Sequence, residues 1–256
     1  MGISVAVVNY RTPEDLKRFL ESYDKTAPAE ASLVVVDVDP NKNKDFDVPR
    51  DGLYIETKTN IGYGRACNAA VKHRLDPDAD VYAFFNADVV LLDGTIEKCA
   101  EALRQNEDWG VLGPYQYDTN GKVTHGGIIG DPKRPFQRGW HRGKSDDFKE
   151  ALEAVMVMGS AFFVKRQCWD ELFDCPILKK VFPKITGNFM EGFLYYEETM
   201  LSYHARAHGW KNIYYGPAEC IHEWHKSIEK YGDRNAFPES RRMFREFCRA
   251  HNIEHD

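Results

Sequence analysis

The sequence has no CxxC pair: its six cysteines, at positions 67, 99, 168, 175, 220 and 248, are scattered. Such spacing reads as reduced thiols of a cytoplasmic protein, most of them core filler. No apolar run is long enough to span a bilayer. The N-terminus opens on strand-like Ile3-Ser4-Val5-Ala6-Val7-Val8, without the charge and apolar-core pattern of a signal peptide. Positive charge is not in excess. Lys and Arg number 34 against 40 Asp and Glu, a net charge of -6, which excludes nucleic-acid binding by bulk charge and leaves room only for a local basic patch. Internal repeats and low-complexity linkers are missing too. What remains is a 256-residue chain, 43% apolar and 29% charged, composed like an ordinary globular protein.

The first half alternates strand and helix. Residues 3–8, 33–36, 53–55 and 81–85 read as strands; residues 64–75 and 95–104 read as helices. Thr12-Pro13-Glu14-Asp15 is a helix start, with Leu16, Phe19, Leu20 and Tyr23 at helical spacing behind it. This alternation predicts an α/β fold, a mostly parallel sheet with helices on both faces. The second half is less regular. Residues 110–113 and 155–164 read as strands, 197–208 as a helix stopped by Gly209, and 212–215 as a strand. Residues 238–251 read as an amphipathic helix with Met243, Phe244 and Phe247 on one side and arginines on the other. Its arginines could touch an anionic membrane surface, although such helices more often pack on the core. Residues 115–150 are rich in Gly, Pro and charge, the composition of a functional lid or a disordered segment. One domain over 1–256 is the simplest organisation.

Three strands end alike. Asn9-Tyr10-Arg11, Asp37 and Asn86-Ala87-Asp88 each follow an apolar run. Asn and Asp also start turns and cap helices. In a parallel sheet, however, these three ends share one edge, where ligands of open α/β sheets bind. A carboxylate just past a buried strand needs a compensating partner. A hard divalent cation gripping a diphosphate suits Asp88. In Asn60-Ile61-Gly62-Tyr63-Gly64-Arg65-Ala66-Cys67-Asn68 the third glycine of a dinucleotide fingerprint is Cys67, so a dehydrogenase is rejected. A helix opening at Gly62 still offers N–H groups to phosphate, with Arg65 beside them.

These segments, in this order, resemble the inverting glycosyltransferases of family 2, which have the GT-A fold. The resemblance continues through Met158-Gly159-Ser160-Ala161-Phe162-Phe163-Val164-Lys165-Arg166 and Phe193-Leu194-Tyr195-Tyr196-Glu197-Glu198-Thr199-Met200-Leu201. It ends in Arg206-Ala207-His208-Gly209-Trp210 and Pro217-Ala218-Glu219-Cys220-Ile221-His222. Rhamnosyltransferase-like and galactofuranosyltransferase-like members are most similar.

The resemblance implies roles. Residues 1–114 would bind the nucleoside-diphosphate sugar, with Asp37 reading the base and the Asn9 region on the nucleoside. Asn86-Ala87-Asp88 corresponds to the family's DxD motif, which holds Mn²⁺ or Mg²⁺ on the diphosphate; here Asn86 replaces the first acid. His222 matches a downstream metal-binding histidine, and imidazole favours Mn²⁺ somewhat. His225 has no such match. Glu197-Glu198 matches the acidic pair that carries the catalytic base, Glu198 first and Glu197 second. On sequence alone, the same pair is also what a helix dipole favours.

Residues 115–256 would face a glycan, glycolipid or other hydroxyl acceptor. Gly159, Ser160 and a flap at about 125–148 bearing Trp140, His141 and Arg142 lie on that side. Many relatives place an acid where this chain has Met200. The replacements Asn86 and Met200 motivate an alternative, a catalytically silent carbohydrate- or nucleotide-binding module. A nucleotidyltransferase is less favoured, because Val8-Asn9-Tyr10-Arg11-Thr12 is not a Gly-rich basic loop.

Overall fold

A computed structural model of the chain describes residues 1–39, 46–130, 138–140, 148–192, 195–223 and 236–253. The strands are β1 Gly2–Asn9, β2 Ala31–Asp37, β3 Leu53–Glu56, β4 Ala79–Asn86, β5 Val89–Leu91, β6 Trp109–Tyr117, β7 Val123–His125, β8 Ile128–Gly130, β9 Arg138–Trp140, β10 Ala151–Ala154, β11 Ala161–Lys165 and β12 Lys211–His222. The helices are α1 Pro13–Thr26, α2 Tyr63–Lys72, α3 Thr95–Gln105, α4 Arg166–Asp174, α5 Pro176–Val181, α6 Glu197–Ala207 and α7 Ala236–Ala250.

A ten-stranded sheet runs β10-β12-β6-β11-β4-β1-β2-β3, with β5 added to β12 and β7 to β6. Strands β3, β2, β1 and β4 are mutually parallel. The sheet then becomes mixed, because β11 is antiparallel to both β4 and β6. The parallel part is buried on both faces, which is why its strands read as unbroken apolar runs. Alternate residues serve two cores. Ile3, Val5, Val7, Leu33, Val35 and Phe85 pack on α1 and α3. Ala6, Val8, Val34, Val36, Tyr82 and Phe84 pack on α2, α4 and α6. Phe84 lies 5.1 Å from Phe162 and 4.9 Å from Phe189, ring centre to ring centre. Each fully buried phenylalanine of this kind contributes about 1.5–3 kcal/mol of transfer free energy. A third apolar cluster joins α5, α6 and α7, and Met200 is fully buried in it near Phe244 and Phe247. The position at which the resemblance implies an acid therefore lies in an apolar core here.

Two expectations change. The apolar run 155–164 is not one strand: β11 begins only at Ala161, after a turn at Gly159-Ser160. That turn is held by two long-range bonds, Tyr63 Oη–H to the Gly159 carbonyl at 2.7 Å and Asn86 N–H to the Ser160 carbonyl at 2.8 Å. Strand β12 is far longer than 212–215. A register shift between Tyr215 and Glu219 lets it pair with β6 along its length and with β5 at its end. The final helix lies where it was expected, with Phe244 and Phe247 fully buried. No described helix is long and apolar enough to cross a membrane.

Candidate active site

The parallel register puts Asn9 opposite Asp37 and Val8 opposite Asn86, so the three polar strand ends share one edge. Asp37 is buried and accepts hydrogen bonds from Tyr54 Oη (2.8 Å) and the Asp39 backbone (2.9 Å). Burial, then that bond to Asp37, raises the Tyr54 phenol well above its usual range, so Tyr54 remains a donor. Asn9 holds the turn into α1: its Oδ1 accepts from both the backbone N–H (3.3 Å) and the hydroxyl (3.0 Å) of Thr12. Arg11, at φ 57°, lies over the Tyr10 ring and approaches Asp39 at 3.6 Å.

β5 turns back after Asp88 and pairs antiparallel with the end of β12, Val89 opposite His222. This brings His222 Nε2 to 3.5 Å from Asp88 Oδ1, with both side chains only 7% exposed. Asp88 Oδ1 is buried and makes no hydrogen bond. An unbonded carboxylate oxygen next to an imidazole nitrogen is a donor set that fits a divalent cation, and such a cation would remove the cost of burying that oxygen. Asn86 is half-buried one strand-end step away, and Ala87 is buried between them.

Strand pairing also places residues that sequence alone does not mark. β7 sets His125 opposite Gln116. Gln116 is fully buried and accepts a 2.6 Å bond from the Ser160 hydroxyl. Burial, and then the charge of His222, lower His125 to about 3, so its ring is neutral, and neither nitrogen has a hydrogen bond. His125 is the first residue of the flap expected at about 125–148.

Glu197 and Glu198 open α6 and diverge. Glu198 is half-buried, and its carboxylate packs on Gly159: a Cβ there would lie 3.2 Å from both Cδ and Oε2. Glu197 is 2% exposed and lies under the start of α2, where a Cβ on Gly64 would meet its Cγ at 3.0 Å and the Met190 carbonyl at 2.3 Å. Burial, then the charge of Glu198, raise the Glu197 carboxyl well above its ordinary value. The sign follows from linkage. Folded Glu197 keeps its proton while unfolded Glu197 ionises, so its contribution is full below the ordinary carboxyl range and is lost as pH rises toward the raised value. Glu197→Gln should therefore gain stability over the native chain as pH climbs from acid to neutral. Urea midpoints at several pH values check this; a gap that stays constant with pH refutes it.

The remaining expected residues are more dispersed. Asn60 Oδ1 accepts from the Gly62 N–H at 2.9 Å, shaping the turn into α2, where Gly62 adopts φ 83°. Arg65 is exposed and 3.5 Å from Glu191. Asn68 is buried away from the edge, and its amide exchanges two bonds with the Phe189 backbone (2.9 and 3.0 Å). Trp140 ends β9, and His141, Arg142, Phe193, Leu194 and His225 lie outside the described residues.

A search among curated proteins finds no match for the chain. Among solved structures, S. aureus TarS 1–349 superposes with a TM-score of 0.58 at 15% sequence identity, over 95% of this chain and 64% of that one. At that identity the likeness shows the fold alone, which is GT-A. The chain spans only 64% of the length of that structure. The description of glycosyl transferase family 2 matches residues 4–173. That match takes in more than half of the sequence, from within β1 through most of α4, and the chain belongs to glycosyl transferase family 2.

Proposed function

We propose that the chain is a metal-dependent inverting glycosyltransferase that moves a sugar from a nucleoside-diphosphate sugar to an acceptor hydroxyl. The observation that carries this reading is the buried Asp88–His222 pair at 3.5 Å, on the sheet edge that also bears Asn9, Asp37 and Asn86. Asp88, His222 and Asn86 would hold Mn²⁺ or Mg²⁺, which supplies charge neutralisation for the departing diphosphate. Asp37 and the Asn9–Arg11 turn hold the nucleoside, and the N-terminus of α2 with Arg65 faces phosphate. Residues 1–114 thus serve the donor, and the Gly159-Ser160 turn and the rest of 115–256 serve the acceptor.

Glu198 is the base. Its carboxylate takes the proton of the acceptor hydroxyl as that oxygen bonds the anomeric carbon and the bond to the diphosphate breaks, inverting the centre in one displacement. Glu197 is the weaker acceptor of that proton, because burial and the charge of Glu198 hold its carboxyl above the ordinary range and take it out of reach of solvent. A glycan or glycolipid is the acceptor class. The six free, buried cysteines support a reducing, cytoplasmic setting.

The test is a thermal-shift screen of nucleoside-diphosphate sugars with and without Mn²⁺. A donor at 100 times its dissociation constant stabilises by about 2.7 kcal/mol through mass action. A metal-dependent rise for one donor, with chelator-sensitive sugar transfer or donor hydrolysis, supports the reading. Binding with neither transfer nor hydrolysis would favour a silent binding module.

A further inference from the structure

Away from the strand-end site, α6 ends in a second cluster of metal-binding side chains. His204 lies about two helical turns beyond Glu197. Cys175 joins α4 to α5, and His251 follows the last turn of α7, its N–H bonded to the Phe247 carbonyl. Three elements far apart in sequence thus bring one thiol and two imidazoles together, with one donor atom from each within 4.8 Å of the others. Cys175 Sγ is 3.9 Å from His251 Nε2.

His204 is fully buried, yet neither of its ring nitrogens has a hydrogen bond. Buried polar groups are normally satisfied, so an unbonded pair of nitrogens needs an explanation. His208, just past the end of α6, borders the cluster with its ring centre 4.9 Å from that of His204. Its Nδ1 is 3.2 Å from Glu171 Oε1.

We propose that Cys175, His204 and His251 form a zinc site, distinct from the Asp88–His222 pair, that ties the C-terminal helix to α6 and the α4–α5 junction. Thiolate and imidazole are the donors zinc prefers, and a tetrahedral ion needs its donors about 3.3–3.8 Å apart. The cluster reaches that spacing by closing about 1 Å, within the range of side-chain rotation. On binding, the Cys175 S–H bond breaks, an S–Zn bond forms and the proton leaves to solvent. His251 is half-buried, so water can take the fourth position.

The test uses the full chain, stripped with chelator and titrated with Co²⁺. One equivalent should give the near-ultraviolet sulfur-to-cobalt band and the visible bands of a tetrahedral ion, and Zn²⁺ should bleach both. The bands should persist in Asp88→Ala and vanish in Cys175→Ser. His251→Ala, altered at a half-buried position just past α7, should weaken cobalt binding more than about tenfold. Zn²⁺ should raise the melting temperature of Asp88→Ala and not that of the double variant Asp88→Ala with Cys175→Ser. A native chain without the sulfur-to-cobalt band overturns the proposal whether or not the variants fold. So does an unchanged band in Cys175→Ser, or unchanged affinity in His251→Ala. None of these readouts depends on a sugar donor or on transfer.

Discussion

Glu198→Gln should lower transfer by about 10²–10⁴-fold, the usual contribution of a positioned general base, while donor affinity stays near that of the native chain. The amide is isosteric, so its packing on Gly159 survives and only proton acceptance is lost. Steady-state transfer and donor titration on the same variant separate the two effects. Turnover within a few-fold of native would remove Glu198 from the mechanism. The matching change at Glu197 should cost far less, because that side chain is buried under α2 and burial disfavours its ionised form. If Glu197→Gln is the deeper defect, the roles of the two acids are reversed.

Asp88→Ala should abolish the Mn²⁺-dependent part of donor binding and, with it, at least about 10²-fold of transfer, since loss of the charged ligand removes the cation's hold on the leaving diphosphate. His222→Ala should weaken metal affinity less, because a neutral ligand is lost and the carboxylate remains. Calorimetry of nucleoside diphosphate with and without Mn²⁺ measures both. Native donor affinity in Asp88→Ala, still sensitive to the metal, would refute the ligand assignment. Folding should not be harmed, because the substitution removes a buried oxygen that makes no hydrogen bond.

Strand ends were legible because an apolar run that stops at Asn or Asp marks where a doubly covered strand leaves the core. Asn9, Asp37 and Asn86 needed only the parallel register to share an edge. Helix α7 was legible from its two faces. The run at 155–164 was misread because hydrophobicity continues through a turn whose reason is non-local, the bonds from Tyr63 and Asn86. Gln116 carries no local signal, and His125 marks only the start of the expected flap; the β6–β7 pairing is what sets the two opposite each other. Asn68 shows the reverse. It sits in a motif suggestive of phosphate, yet its amide is taken up by the Phe189 backbone, because a loop packed on α2 needs partners for its own peptide groups.

The position of β12 limits how the chain could be shortened. This strand lies inside the sheet, between β10 and β6, and its tip carries His222 to β5. A fragment trimmed to residues 4–173 would keep Asp88 but lose Glu198 and His222, and would leave the long edge of β6 bare. Such a truncation would aggregate through that open edge rather than act as a minimal catalyst. The last third of the polypeptide thus closes the sheet, and the same late-synthesised strand would, on the proposed reading, deliver the metal-binding histidine to Asp88.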